Sequence, residues 1–295
     1  MTLTLLVQSV LAGLTNGFVY GLIGLGIAVV FRGARIINAM QGDLALIGSV
    51  VAYLIAVSLG LPMILGFLLG VVAGGVTGFL VDRLMIRPTA KRRGTEDSFL
   101  LVTLGGAFAV SATVLLYFGR DSYVLPGIGG NAMVDVFDAA MRVHAIWLIV
   151  ISTGVVLALR WFYAKTAIGQ AMLAASIDPE GALTLGINVG WMRTMTLALG
   201  GLVGGLAGVL VAPLINIQYE MGLLLTLKGF AAAILGGLTS PFGAIFGGVI
   251  LGLVEALAVV TISSGYKDVV AMTLLIAIMI AMPQGLFGRR GRLGG

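Results

Sequence analysis

An all-α, polytopic membrane fold is predicted by three features of this 295-residue sequence. Hydrophobic residues make up 59% of it and charged residues only 10%, with a mean hydropathy of +1.13. Soluble domains carry about 25% charged residues. The apolar residues are gathered in long runs, and a helix satisfies its own backbone polar groups in lipid. Glycine is abundant, at 45 residues. Small residues let helices approach closely where lipid removes the hydrophobic drive between them. Residues 1–295 read as a single transmembrane domain, with roughly 8–10 transmembrane helices.

The first predicted span covers 5–31, which has no basic leader in front of it. Spans two and three cover 44–59 and 62–81, joined by a tight turn at Gly60. The fourth covers 98–118, the fifth 145–163 and the sixth 192–212. The run 223–235 is short. It is separated from 242–260 by Gly236, Gly237 and Pro241. A run of that length rises only about 20 Å as a helix, less than the hydrocarbon core. The two segments therefore read as a broken or re-entrant element, which is tolerated where it faces protein or a water-filled path. A last apolar segment covers 269–282.

Orientation follows from Lys and Arg in the loops. With the N-terminus outside and the C-terminus in the cytoplasm, all 17 basic residues except Arg120, Arg142, Lys228 and Lys267 fall on the inner side. The cytoplasmic set includes Arg83, Arg87, Lys91, Arg92 and Arg93, and the tail of Arg289, Arg290 and Arg292. It also includes Arg32, Arg35, Arg160, Lys165 and Arg193. Lys91, Arg92 and Arg93 could meet anionic lipid or a partner, but topology alone explains them. The longest outer loop is 119–143. The loop 164–191 is cytoplasmic.

That cytoplasmic loop contains a two-turn helix signal. Asp178 suits an N-cap, Pro179 the first helical position, and Glu180 the positive end of the helix dipole. Gly186 suits the C′ stop. So short a helix is not stable alone. Between long spans it either lies idle or docks onto something outside the membrane.

Several chemistries are excluded. The sequence has no cysteine and one histidine, His144, which argues against a zinc or haem site and against a Ser/His/Asp set. No catalytic residues and no cofactor are assigned to this chain. It lacks a phosphate loop, so it cannot be its own P-loop ATPase. Gly200-Gly201 and Gly204-Gly205 lie inside a span and suit helix packing rather than nucleotide binding.

The ionisable residues within spans are few. Glu255 and Lys228 either line or gate a substrate path, or pair and stabilise the broken element. Asn38, Gln41 and Asp43 stand at the start of the second span. They either line the inner mouth of a path or cap a helix at the interface. His144 reads as an interfacial histidine at the outer face.

Several stretches resemble one family. Ile37-Asn38-Ala39-Met40-Gln41-Gly42-Asp43, followed by Ile47-Gly48-Ser49, is similar to an I-N-F-A-H-G-E…I-G-S segment, departing from it at Ala39, Met40, Gln41 and Asp43. Gly169-Gln170-Ala171 through Leu185-Gly186-Ile187-Asn188 resembles its cytoplasmic loop. Lys228-Gly229-Phe230-Ala231-Ala232-Ala233-Ile234-Leu235-Gly236-Gly237 resembles K-A-F-x-A-A-V-L-G-G. Gly243-Ala244, Gly252-Leu253-Val254-Glu255-Ala256-Leu257 and Met282-Pro283-Gln284-Gly285-Leu286-Phe287-Gly288 continue the pattern.

The family is that of permease subunits of bacterial ABC importers for branched-chain (hydrophobic) amino acids. The resemblance implies a type II importer-like fold in the bacterial inner membrane. It implies a second permease, usually non-identical, two cytoplasmic ATPases that bind ATP and Mg, and a soluble binding protein. It also implies that Asp178, Pro179, Glu180, Ala182, Leu183, Leu185 and Gly186 form a coupling helix for the ATPase. Urea, short amides and aromatic carboxylates are further substrates such permeases handle. The competing reading is an ion- or proton-coupled carrier with Glu255 as its coupling carboxylate.

Overall fold

The computed structural model describes residues 3–130, 132–137, 139–261 and 264–266, and several further positions between 269 and 287. Helix α1 (Leu3–Ala34) is long enough to cross a bilayer with tilt, at about 48 Å. It ends where Arg35 turns left-handed, with φ 54°, and its N–H donates to the Phe31 carbonyl. The chain then folds back into the bundle, and α2 (Gln41–Tyr53) begins beside Gly26 and Gly200, deep between α1 and α9.

α2 finishes in a π-helical turn, Leu54–Ser58, and Gly60 reverses the chain as expected, with φ 64°. α3 (Met63–Val81) ends at the predicted boundary, but the helical path does not. A π-helical turn, Asp82–Ile86, carries it on into α4 (Arg87–Lys91). The charged residues end the hydropathy signal but not the helix. Asp82 finds a partner on α9, and the Arg83 guanidinium lies over the rings of Phe79 and Trp191.

α5 (Glu96–Phe118) opens with a capping box between Thr95 and Ser98. The outer loop after it departs from a wholly helical chain. β1 (Met133–Val136) and β2 (Ala139–Arg142) form an antiparallel hairpin with Met133 opposite Arg142 and Val136 opposite Ala139. Tyr123 in the same loop exchanges two backbone hydrogen bonds with Ile217.

α6 (Val143–Lys165) returns across, followed by two helices of the loop before α9, α7 (Ala167–Ile177) and α8 (Pro179–Thr184). Then come α9 (Val189–Val211), α10 (Met221–Gly236) and α11 (Pro241–Thr261). Seven helices of the described residues are long and apolar enough to span. α10, of 16 residues, is too short to span by itself and breaks from α11 at Gly237, as the sequence predicts. The predicted last segment, 269–282, lies largely outside the described residues.

α1 and α9 form the centre of the bundle. In each, 72% of the most apolar window is buried inside the chain, against 22% for α5 and 28% for α6, which present most of their surface outward. α1 lies antiparallel against α11 on a glycine seam. A Cβ on Gly17 would stand 2.6 Å from the Val249 Cα, so no larger residue fits there without moving a backbone. The glycines of α9 serve the same purpose against α3, where Gly201 and Gly205 face Gly70 and Gly74.

Candidate functional site

Three groups of polar residues interrupt this apolar packing. The first joins α1, α10 and α11. Lys228 Nζ donates to Glu255 Oε1 at 2.8 Å and to the Tyr20 hydroxyl oxygen at 3.1 Å, while the Tyr20 hydroxyl donates to Glu255 Oε2 at 2.8 Å. The ammonium also stands 4.8 Å from the centre of the Tyr20 ring. The glutamate is almost fully buried; the lysine side chain keeps 16% of its surface exposed. That exposed part faces a cavity of about 520 Å³, which Asn16, Asn216 and Gln218 also line, with Met221, Leu224 and Leu225. Lys228 and Glu255 thus meet as the pairing reading expects. Tyr20 was not legible as a third member, because it sits 208 residues from Lys228.

The second group is the chain entering α2. Asn38, Gln41 and Asp43 are all essentially inaccessible. They do not cap a helix at the membrane surface: Met40 occupies the N-cap position, without a side-chain bond. Instead they are bonded within the bundle, where the irregular backbone ahead of α2 is enclosed by protein, the setting in which membrane proteins permit it. Asn38 Oδ1 accepts from the Met40 N–H at 3.0 Å and Thr103 Oγ1 accepts from the Ala39 N–H at 3.1 Å. Gln41 Nε2 donates to the Gly200 carbonyl at 2.9 Å, and Thr226 Oγ1 accepts from the Gly42 N–H at 2.9 Å. Asp43 Oδ1 accepts from Ser111 at 3.1 Å. Asn38 and Gln41 are therefore packed between helices rather than set beside Lys228 on one cavity wall.

The third group lies behind the loop that carries α7 and α8. Arg193 Nε donates to Asp82 Oδ1 at 2.7 Å, and the Thr194 hydroxyl to Asp82 Oδ2 at 2.6 Å. Asp82 is fully buried. It lies one residue past the hydrophobic end of α3, so sequence reading assigned it no role. The one signal available was a carboxylate directly after an apolar run.

α8 itself has the predicted caps. Asp178 Oδ1 accepts from the Gly181 N–H at 2.9 Å and Pro179 opens the helix. At its end the Ile187 N–H reaches the Ala182 carbonyl and the Gly186 N–H the Leu183 carbonyl, with Gly186 at φ 77°; this is the Schellman closure. Ala182 is buried against the bundle, whereas Leu183 is 60% and Leu185 78% exposed. Asp178, Pro179 and Glu180 are exposed beside them. One turn further on, Asn188 caps α9 by accepting from the Trp191 N–H. α8 therefore leads directly into the helix that holds Arg193.

His144 is buried rather than interfacial. Its Nδ1 accepts from the Ile128 N–H at 3.0 Å and its Nε2 lies 2.7 Å from the Leu210 carbonyl. Those partners fix the Nε2–H tautomer and leave the ring tying the outer loop to α9.

Residues 9–279 match the family described as branched-chain amino acid transport system, permease component. The chain belongs to this permease family. It is a multi-pass membrane-spanning permease subunit of the ABC importer class, not a catalyst in its own right. It is 30% identical to the high-affinity branched-chain amino acid transport system permease protein LivH of Escherichia coli K12, over 96% of this chain and 95% of LivH. BraD, the corresponding permease of Pseudomonas aeruginosa, is also 30% identical, with the same coverage of both chains. The permease LsrC of the autoinducer 2 import system of Escherichia coli is 28% identical over 76% of this chain and 63% of LsrC. The carrier reading of Glu255 finds no support: the carboxylate is engaged by Lys228 and Tyr20, and the family is that of permease components.

Proposed function

We propose that this permease moves branched-chain or other hydrophobic amino acids, or a related small solute, into the cell, powered by separate ATPases docking on α8. The reading of the substrate is supported by the names of the LivH and BraD relatives; that of LsrC widens it to other small solutes. The observation that carries the docking reading is the surface of α8. Leu183 and Leu185 are exposed in the loop between α6 and α9, where the bundle does not cover them. Large apolar side chains left outside in this way mark a contact surface. Ala182 is the face turned inward, so Glu180, Leu183 and Leu185 are the groups offered to the ATPase.

The remaining parts follow from the same arrangement. The N-terminus is outside and the C-terminus cytoplasmic, which puts α8 on the side where ATP and Mg act on the partner ATPases. A soluble binding protein delivers solute on the outer side, where the hairpin carries the exposed Phe137. A second permease, usually non-identical in this family, completes the path. Lys228 borders that path at the floor of the outer cavity, with its charge balanced by Glu255. Differential binding of ATP and of the loaded binding protein to the inward- and outward-facing states drives the cycle.

The test is the double variant Leu183→Ala/Leu185→Ala, with the complex assembled in vesicles. Uptake should be lost and ATP hydrolysis should cease to respond to loaded binding protein, with the permease still present in the membrane. Unchanged uptake would sink the docking assignment.

A further inference from the structure

A second cavity lies at the opposite end of the bundle, in a cleft between α6 and the start of α11. It has a volume of about 360 Å³, within the ~300–1,000 Å³ usual for small-molecule sites. Its walls divide into two chemistries. Leu159 and Phe242 supply an apolar flank, whereas Arg32, Arg160, Tyr163 and Ser240 supply donors. Among the described residues neither arginine belongs to an ion pair, since the two pairs found there use Asp82 and Glu255. The Arg32 guanidinium is held 5.2 Å from the centre of the Tyr163 ring.

Two hydroxyls complete the set. The Tyr163 residue is 4% exposed, and its hydroxyl has no hydrogen-bond partner among the described residues. Ser240 Oγ accepts from the Gly243 N–H at 3.0 Å, which leaves its own hydrogen available. Ser240 also stands at the N-terminal end of α11, a helix of 21 residues whose dipole favours an anion there. Among the described residues no carboxylate lines the cleft. The depth is that of the headgroups: Trp161, 64% exposed on α6 between Arg160 and Tyr163, is the residue type that anchors at a membrane–water interface.

We propose that this cleft is a binding site for an anionic phospholipid of the cytoplasmic leaflet. The phosphate is held by Arg32, Arg160 and the Tyr163 and Ser240 hydroxyls, and an acyl chain lies along Leu159 and Phe242. Basic pockets between spans on the cytoplasmic side are suited to such headgroups. The amphipathic walls select a lipid over free phosphate, because a free ion would leave the apolar flank unfilled. This inference needs the cytoplasmic placement of that end of the bundle, but not the substrate or the ATPase contact.

The experiment uses the full-length permease in detergent, titrated with phosphatidylglycerol, with phosphatidylcholine and with excess inorganic phosphate. The readouts are thermal protection and the lipid retained in native mass spectra. Phosphatidylglycerol should be retained and should protect, with the other two far weaker. Arg32→Gln/Arg160→Gln should weaken retention about 30-fold, from the attraction expected of two basic residues near anionic lipid. Tyr163→Phe should weaken it about 5-fold, as for one hydrogen bond. Equal retention by the double variant and the wild type overturns the site. Protection by inorganic phosphate matching that by lipid overturns the lipid as its source. Loss of a permease dimer in the double variant with the lipid count unchanged gives the cleft to a second copy and overturns it as well. Should the double variant not fold, Tyr163→Phe and Ser240→Ala decide alone, and unchanged retention in both rejects the proposal.

Discussion

Two buried ion pairs among the described residues of this permease share a chemistry and differ in surroundings. Lys228–Glu255 is 2.8 Å long and Arg193–Asp82 is 2.7 Å, and a hydroxyl donates to the carboxylate in each: Tyr20 in one, Thr194 in the other. The first joins α1, α10 and α11 beside a cavity that Lys228 lines. The second joins the end of α3 to the start of α9, directly after α8. The same pair of charges can thus border a path or fasten a joint, and the elements it connects decide which. On the function proposed above, the pair at the joint would pass the position of α8 on to α3, and the pair at the cavity would meet what enters.

The most damaging way to break this contrast is Lys228→Met. It leaves Glu255 buried with Tyr20 alone, and removing one partner of a buried pair costs about 3–5 kcal/mol. A thermal melt of the solubilised protein should fall accordingly, and uptake should stop. Adding Glu255→Leu should recover most of the stability, because an apolar pair of similar volume is often neutral or better. Uptake should stay lost, as the cavity floor has lost its polar groups. A double variant that transports normally would reduce the cluster to a structural fastening.

A smaller effect is expected at the joint. Arg193→Gln keeps the Thr194 bond to Asp82 and loses the charge-assisted one, worth about 1.5–3 kcal/mol. Arg193 is 21% exposed, so solvent moderates that loss. The distinguishing readout is coupling. Solute binding at the outer cavity should persist while ATP hydrolysis loses its response to loaded binding protein. A variant with weakened stability but intact coupling would erase the proposed difference between the two pairs.

The mildest change is Asp178→Ala, which removes the cap of α8 at about 1 kcal/mol. Hydrogen exchange at 179–185 should rise, with uptake reduced rather than abolished. Unaltered exchange there would mean that the bundle, through Ala182, holds α8 without its cap.

Legibility in the sequence followed the range of the forces involved. Asp178, Pro179 and Gly186 were readable as a capped helix because each acts on backbone groups within a few residues. The break at Gly237 was readable for the same reason. The end of α3 at residue 81 was readable because hydropathy falls at Asp82, but the π-helical turn and α4 that carry the chain on to Lys91 were not. The hairpin at 133–142 carried too weak an alternation to stand out among nine apolar segments. Asn38, Gln41 and Asp43 looked interfacial because they precede a span, and nothing local announces that the chain re-enters the bundle before α2 begins.

The sequence by itself determined the class of this protein. Its composition requires lipid, and its glycines permit close helices. Only the tertiary structure decided which polar groups meet. Glu255 lies 27 residues from Lys228 and 235 from Tyr20, and Asp82 lies 111 from Arg193. Those meetings depend on helices brought together by glycine seams such as Gly17 against Val249. A cap costs or gains energy within one turn. A buried charge is tolerated only once remote helices have closed around it and supplied its partner.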